Sequence, residues 1–198
     1  MANPKTKTAT YADIEALPPN VVGEILFGKL VVQPASEPRH AATLSAVGGV
    51  LGRPYVWAQD GPGGWIFMNK PEVRLGPHIV VPDVAGWKCG RLNLATDAQW
   101  VEEAPDWVCE VLSPATEASD RAPKRKVYHA YGIEYLWFAD PRQRYLETFH
   151  RQSGGWLVTG FYDEHEEVTA PPFDAITFSL GLLWPFDPPP ADSNAKEA

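Results

Sequence analysis

The stretch DWVCEVLSPATEASDRAPKRKVYHAYGIEYLWFAD, residues 106–140, decides the architecture. Its first seven residues, Asp106–Leu112, are apolar apart from Asp106 and Glu110 and alternate faces. Trp107, Cys109 and Val111 point one way; Val108, Glu110 and Leu112 point the other. Ser113-Pro114 ends this strand, because proline gives no N–H to a ladder. A helix is expected from about Ala118 to Tyr131, closed by Gly132, with Pro123 placed in its first turn where the missing N–H costs little. Glu134–Ala139 is the next strand. Strand, helix, strand over 106–139 predicts a βαβ-like unit whose two strands pair in parallel.

Working outward, Gly23–Phe27 and Leu30–Gln33 predict a hairpin turned near Gly28. Thr10 caps a short helix at Tyr11–Leu17, ended by Pro18-Pro19. Ser36-Glu37-Pro38 opens a longer helix to Leu51, weakened by Gly48-Gly49 and stopped at Gly52-Arg53-Pro54. Trp65–Met68, Glu72–Leu75 and one strand around Val80–Trp87 precede an irregular polar segment, 88–104. Asp140-Pro141 makes a turn, and Tyr145–His150 and Trp156–Tyr162 extend the sheet. The class is therefore α/β of the mixed α+β kind: a mixed central sheet flanked by helices, with an N-terminal hairpin. A single domain is expected over residues 10–186, between a disordered segment at 1–9 and a loose Pro-rich tail at 187–198.

With 44% hydrophobic and 12% aromatic residues, the 198-residue chain can build a real core, into which most of its eight tryptophans should go. A net charge of −8 excludes nucleic-acid binding through bulk charge and leaves local patches or bound cations. One patch stands out: Arg121-Ala-Pro-Lys124-Arg125-Lys126 holds four of the seventeen basic residues, although such a run also fits a solvated helix face. Cys89 and Cys109 imply neither a disulfide framework nor a zinc cluster and fit a reducing compartment. No apolar run follows Lys5 and Lys7, and none approaches the length of a membrane span, so a cytoplasmic protein is expected.

The chemistry rests on two acids within apolar segments, Asp83 in Ile79–Val84 and Glu110 in Asp106–Leu112. A carboxylate there is costly unless a cation or hydrogen-bond donor meets it. If the two strands are neighbours, both acids converge and offer hard oxygen ligands suited to Mg²⁺ or Mn²⁺. The residue two beyond Glu110, on the same face, is Leu112, so no lysine sits at the simplest place. Asp120, Lys124 and Tyr128 recur every four residues and share one helix face, from which Lys124 can reach back over the strand end; an ion pair with Asp120 explains that spacing equally well. Lys126 lies on the other side of that helix. Glu24 is either an exposed edge residue or a third acid, and His40, near a helix start, is either a surface residue or part of the site.

These residues resemble the PD-(D/E)XK nuclease superfamily, and more narrowly a bacterial family of restriction-endonuclease type. The resemblance is carried by Pro82-Asp83, then Glu110-Val-Leu-Ser-Pro-Ala-Thr116, Asp120-x3-Lys124-x3-Tyr128, Tyr131-Gly-Ile-Glu-Tyr135 and Asp140-Pro141. Upstream, Glu24-x3-Gly28-x-Leu30 and Ser36-Glu-Pro-Arg-His40 fit the same pattern, so that roughly residues 10–185 are covered. The resemblance implies Mg²⁺-dependent hydrolysis of DNA, with Asp83, Glu110 and the Val111 carbonyl as metal ligands. It implies that Lys124 is a catalytic lysine displaced from strand to helix and Glu24 an assisting acid; Arg121, Arg125, Lys126 and His40 are the candidate substrate contacts. Two positions depart from the pattern: Lys29 stands where an acid is usual, and Pro123 precedes the lysine. A homodimer is expected on geometric grounds, since a duplex has two strands to cut. The rival reading is a catalytically silent nucleic-acid-binding or protein-interaction module, motivated by the net charge and by Lys29.

Overall fold

The computed structural model describes residues 8–34, 36–94 and 98–186. Most of the expected disordered segment and all of the tail lie outside these residues; of the rest, Ala9 donates its N–H to the Gly28 carbonyl at 2.9 Å. Helix α1 (Tyr11–Glu15) is shorter than expected and starts where the Asp13 carboxylate accepts the Thr10 N–H at 2.7 Å. Strands β1 (Val21–Leu26) and β2 (Lys29–Pro34) form the hairpin, joined by Phe27-Gly28 with both residues at positive φ, 52° and 74°. That mirror-image turn matches the strand twist and favours glycine.

Helix α2 (Pro38–Tyr55) runs past its expected stop at Gly52 and takes Pro54 into its last turn. The lost N–H costs a bond there, but Leu51 and Tyr55, each 1% exposed, bury the turn and hold it. Strands β3 (Trp65–Asn69) and β4 (Val73–Leu75) follow as expected. The strand around Val80–Trp87 is instead two strands, β5 (His78–Val80) and β6 (Val84–Lys88). Pro82 interrupts the ladder between them, and the chain changes sheets there.

Strand β7 (Trp107–Val111) leads into a helical run built from α3 (Glu117–Ser119), a π-helical turn at Asp120–Lys124 and α4 (Arg125–Ala130). Strands β8 (Tyr135–Asp140), β9 (Tyr145–Gln152) and β10 (Gly155–Asp163) return as an antiparallel series, and β11 (Glu167–Val168) and β12 (Phe178–Ser179) form a small hairpin near the end. A four-stranded sheet has the order β2-β1-β5-β4, and a six-stranded sheet the order β10-β9-β8-β7-β6-β3. Among the described strands β7 and β8 are the pair that runs parallel, as the strand–helix–strand pattern requires, and a single parallel bridge joins Val73 to Val101. β6 pairs antiparallel with β7, Val84 opposite Cys109, which makes the two acid-bearing segments neighbours.

The alternation along β7 sorts the core. Trp107, Cys109 and Val111 pack with Leu44, Leu51 and Tyr55 of α2 and with Phe173 and Trp184 near the C-terminal end. Val108 and Leu112 pack on the other face with Val127 and Tyr128 of α4 and with Leu26 and Val80 of the smaller sheet. Glu110 therefore lies on the helix side of the large sheet. Of the tryptophans, Trp65, Trp87, Trp107, Trp137 and Trp184 are buried, while Trp57 is 66% exposed. The Trp107 ring meets Phe67, Trp137 and Phe173 edge-on at centroid distances of 5.7, 5.4 and 4.9 Å. Trp107→Ala should cost roughly 3–5 kcal/mol of folding stability, read as a lower urea midpoint at unchanged slope. A loss below about 1 kcal/mol would mean that the surrounding rings close the gap.

Candidate active site

The strand break at Pro82 leaves main-chain N–H groups without ladder partners, and acidic side chains take them. Val81 donates its N–H to Glu24 Oε1 at 2.7 Å, and Asp83 donates its N–H towards Glu110 Oε2 at 3.3 Å. In return Val111 donates its N–H to Asp83 Oδ2 at 2.9 Å. These bonds draw one acid from each of β1, the β5–β6 connection and β7 to one point, and all three are buried. Glu24 is 0% exposed, which overturns its reading as an exposed edge residue. Gln33 on β2 donates to its second oxygen at 2.8 Å.

Lys124 closes the cluster from the helix. Pro123 sits within the π-helical turn rather than in a first helical turn, and the wider turn accommodates a residue with no N–H to give. The Lys124 side chain is 1% exposed. Its Nζ lies 2.7 Å from Glu110 Oε1 and 3.3 Å from each of Glu24 Oε1, Asp120 Oδ1 and the Val81 carbonyl. The expected reach to Glu110 and the plain ion pair with Asp120 thus occur together. The Tyr128 hydroxyl also donates to Glu110 Oε1.

His40 and Lys70 complete the surroundings of Asp83. His40 Nε2 lies 3.1 Å from Asp83 Oδ2 and donates to it, since a carboxylate only accepts. The Lys70 ammonium is 3.5 Å from Asp83 Oδ1, and its main-chain N–H reaches the Asp83 carbonyl at 2.9 Å. Neither Lys70 nor Gln33 is legible as a site residue in the sequence. Lys70 follows β3 in a left-handed conformation, φ 49°, and only the pairing of Asn69 with Val84 brings it beside Asp83.

Three carboxyl groups contact one buried ammonium, and Asp83 feels its charge from further off. Burial pushes Glu110 well above the usual carboxylate range, against the pull of Lys124, and Asp120, Asp83 and Glu24 push it further. Burial likewise raises Glu24 and Asp120, again opposed by Lys124. Asp83 differs: burial alone would raise it, but the His40 hydrogen bond and charge, with Lys124 and Lys70 behind them, bring it below its ordinary value. Burial would lower Lys124, yet Glu110 and Glu24 hold it well above the usual lysine range, so it stays charged. Burial and Glu110 raise Tyr128, which stays a hydrogen-bond donor.

The donor set suits a hard divalent cation. The Leu112 N–H bonds the Ala139 carbonyl of β8 at 2.8 Å, so by alternation the Val111 N–H and carbonyl both face the Asp83 side. The Val111 N–H already reaches Asp83, and its carbonyl, on the same side, could add a third oxygen to those of the two acids. Asp83 Oδ1 and Glu110 Oε2 are the less engaged oxygens, with contacts no shorter than 3.5 and 3.3 Å among the described residues. Among those residues no three His, Cys, Asp or Glu side chains form a metal-holding group. The oxygens available are two carboxylates and a main-chain carbonyl, which favours a small cation that retains waters.

The other proposed contacts lie elsewhere. Arg121 is held by Glu147 at 2.7 Å and Glu117 at 3.1 Å, and its guanidinium lies over Phe138. Arg125 lies over Phe149 of β9, and Lys126 is exposed. The basic run is therefore split: Lys124 turns inward, and the other three face the β9–β10 flank. His40 holds Asp83 rather than facing outward. Lys29 is exposed on β2.

Residues 9–181 match the model of the putative restriction endonuclease family, Uma2, a match over most of the chain. The fold is similar to the crystal structure of a putative nuclease of family DUF820 from Anabaena variabilis ATCC 29413. The two share 22% identity and a TM-score of 0.71, over 89% of this chain and 97% of that one. No curated protein matches the chain. Among the described residues no helix is long and apolar enough to cross a membrane.

Lys124→Met should expose the electrostatic tension of the cluster. Glu24, Glu110 and Asp120 have folded pKa values above their unfolded ones, so their stabilisation is present at low pH and is lost as pH rises through the folded values. Lys124 opposes that loss, and its own contribution is whole below the ordinary lysine value and is lost only as pH rises from there through its raised one. Asp83 acts oppositely and loses its contribution on acidification. Without the ammonium, stability should fall by roughly 3–5 kcal/mol at neutral pH and by less near about pH 5, measured by urea unfolding at both. Equal losses at both would contradict the cluster's charge balance.

Proposed function

We propose, from the premise that this chain belongs to the putative restriction endonuclease family, that it hydrolyses DNA phosphodiester bonds with a divalent cation, Mg²⁺ or Mn²⁺. One observation carries the reading: Asp83 and Glu110, on adjoining segments and linked through the Val111 and Asp83 N–H groups, share a buried centre with the charged Lys124. Asp83, Glu110 and the Val111 carbonyl would hold the cation, which supplies an acidified water and charge neutralisation at the phosphate.

The protein's own groups have distinct tasks. Lys124 has three N–H donors and four acceptors within 3.3 Å, so its first task is to fix Glu110 and Glu24. Exchanging one of its 3.3 Å contacts for the attacking water or a phosphoryl oxygen would let the same ammonium orient or stabilise the reacting group. Glu24 is a positioning acid that fixes Val81 and Lys124 together. His40 fixes the Asp83 carboxylate in its ionised form. Lys70, one-third exposed beside Asp83 Oδ1, is placed to meet the phosphate at the mouth.

Supercoiled plasmid incubated with Mg²⁺ or Mn²⁺ should be nicked or linearised by the protein. Asp83→Ala should lower the rate by about a hundredfold or more and weaken Mn²⁺ binding measured by calorimetry. An intact plasmid under every divalent cation, with DNA binding unchanged in Asp83→Ala, would instead establish the silent binding module.

A further inference from the structure

The nuclease reading leaves a second concavity unused, on the flank of the helical run away from Asp83. It has a volume of about 420 Å³, and its walls include Arg121, Arg125, Lys126, His129, Gly155 and Trp156. That volume falls in the range of small-molecule and nucleotide sites. The walls are built. Arg121 is pinned by Glu147 and Glu117 and by the Tyr145 hydroxyl at 2.7 Å, so it shapes the site without offering a free charge. The Trp156 indole N–H bonds the Arg125 carbonyl at 3.2 Å, which fixes the indole beside the helix. His129 packs edge-on to the same ring at 5.8 Å and is itself held by the Gln152 carbonyl at 2.8 Å. A side chain added at Gly154 or Gly155, in the β9–β10 turn, would meet nothing within 4 Å, so that side is open.

Two positive charges there have no direct ion-pair partner among the described residues, although Glu147 acts on Arg125 from further off. Among the described residues neither Arg125 nor Lys126 has a carboxylate at ion-pair distance, in a chain with 25 acidic and 17 basic residues. The Arg125 guanidinium lies over the Phe149 ring at 4.5 Å, and its Nε is buried without a hydrogen-bond partner. Adjacent cations beside a held indole match the two parts of a nucleotide: phosphate for the cations, base for the ring face.

We propose that this concavity binds one nucleotide of a single-stranded stretch of the substrate, its base against Trp156 and its phosphate at Arg125 and Lys126. The proposal deepens the nuclease reading and rests on it. The sheet order puts β10 three strands from β7. At roughly 4.8 Å per strand that is about 14 Å across. Trp156 pairs with Arg151, four residues or about 13 Å along β9 from Glu147, which is in register with Glu110 through Phe138, so the separation is about 20 Å, or about six nucleotides of a strand rising roughly 3.4 Å each. One strand can therefore reach both places.

The test uses the full chain in EDTA, where cutting plays no part, and a fluorescein-labelled single-stranded 12-nucleotide DNA read by anisotropy. Lys126→Glu, at an exposed position, and Trp156→Leu should each weaken binding about tenfold, while Trp156→Phe, which keeps a ring, should lose much less. In 15N-labelled protein the Trp156 indole signal should shift on adding the oligonucleotide. Wild-type affinity in both Lys126→Glu and Trp156→Leu would overturn the proposal. So would tripolyphosphate competing as well as the oligonucleotide, because charge alone would then account for binding. A protein that cuts plasmid while these variants bind normally would refute the second site and leave the nuclease reading standing. A protein that binds in this pattern but never cuts would do the reverse.

Discussion

One buried ammonium joins parts of the molecule that are built separately. Glu24 belongs to the four-stranded sheet, Glu110 to the six-stranded sheet and Asp120 to the helical run between β7 and β8, and Lys124 Nζ contacts all three. Buried ion pairs add little net stability, because desolvation consumes most of the attraction, but removing one partner leaves a charge that nothing compensates. The effect of Lys124 is thus on placement. With it, both sheets and the helix meet in one arrangement; without it, the carboxylates must take up protons or move apart.

The acids tolerate burial for a main-chain reason. A strand running unbroken through residues 78–88 would give its N–H groups to neighbouring strands, but Pro82 forces a break and a change of sheet. The N–H groups on either side of the proline, at Val81 and Asp83, go to Glu24 and Glu110, and Asp83 takes up the Val111 N–H across the gap. The carboxylates thus act as ladder partners. The charges needed for chemistry and the hydrogen bonds needed to pass between sheets are the same groups, and this is how the fold keeps three acids so close together.

Sequence reading reached much of this arrangement and missed the rest for identifiable reasons. The alternation of residues 106–112 separated the two core faces and put Glu110 with Val108 and Leu112, because period-2 patterning is local; which face meets the helix depends on packing. The four-residue spacing of Asp120, Lys124 and Tyr128 put them on one helix face and left open a reach over the strand end or an ion pair with Asp120; in the fold Lys124 makes both. Pro82 was legible as a proline but not as a sheet switch, since its effect depends on which strands lie beyond it. Lys70 left no local signal, because it reaches Asp83 only through the register of β3 on β6. The basic run 121–126 read as one patch, yet adjacent helical residues point in different directions, and burial of one side of the helix separates Lys124 from its neighbours. Pro54 inside α2 reflects tertiary packing overriding a local stop signal.

The charge balance also orders events in the proposed reaction. Glu24, Asp83, Glu110 and Asp120 face a single fully buried lysine, with His40 and the partly exposed Lys70 at the edge. A phosphodiester brings a negative charge to a centre lined by four carboxyl groups, in a chain of net charge −8. Its approach is unfavourable until a cation occupies the oxygens of Asp83 and Glu110, and a bound phosphate in turn favours the cation. By linkage, each must raise the affinity of the other by the same factor. A centre this acidic therefore discriminates against nucleic acid when no cation is present, and initial capture of the strand falls to positive groups set away from the carboxylates.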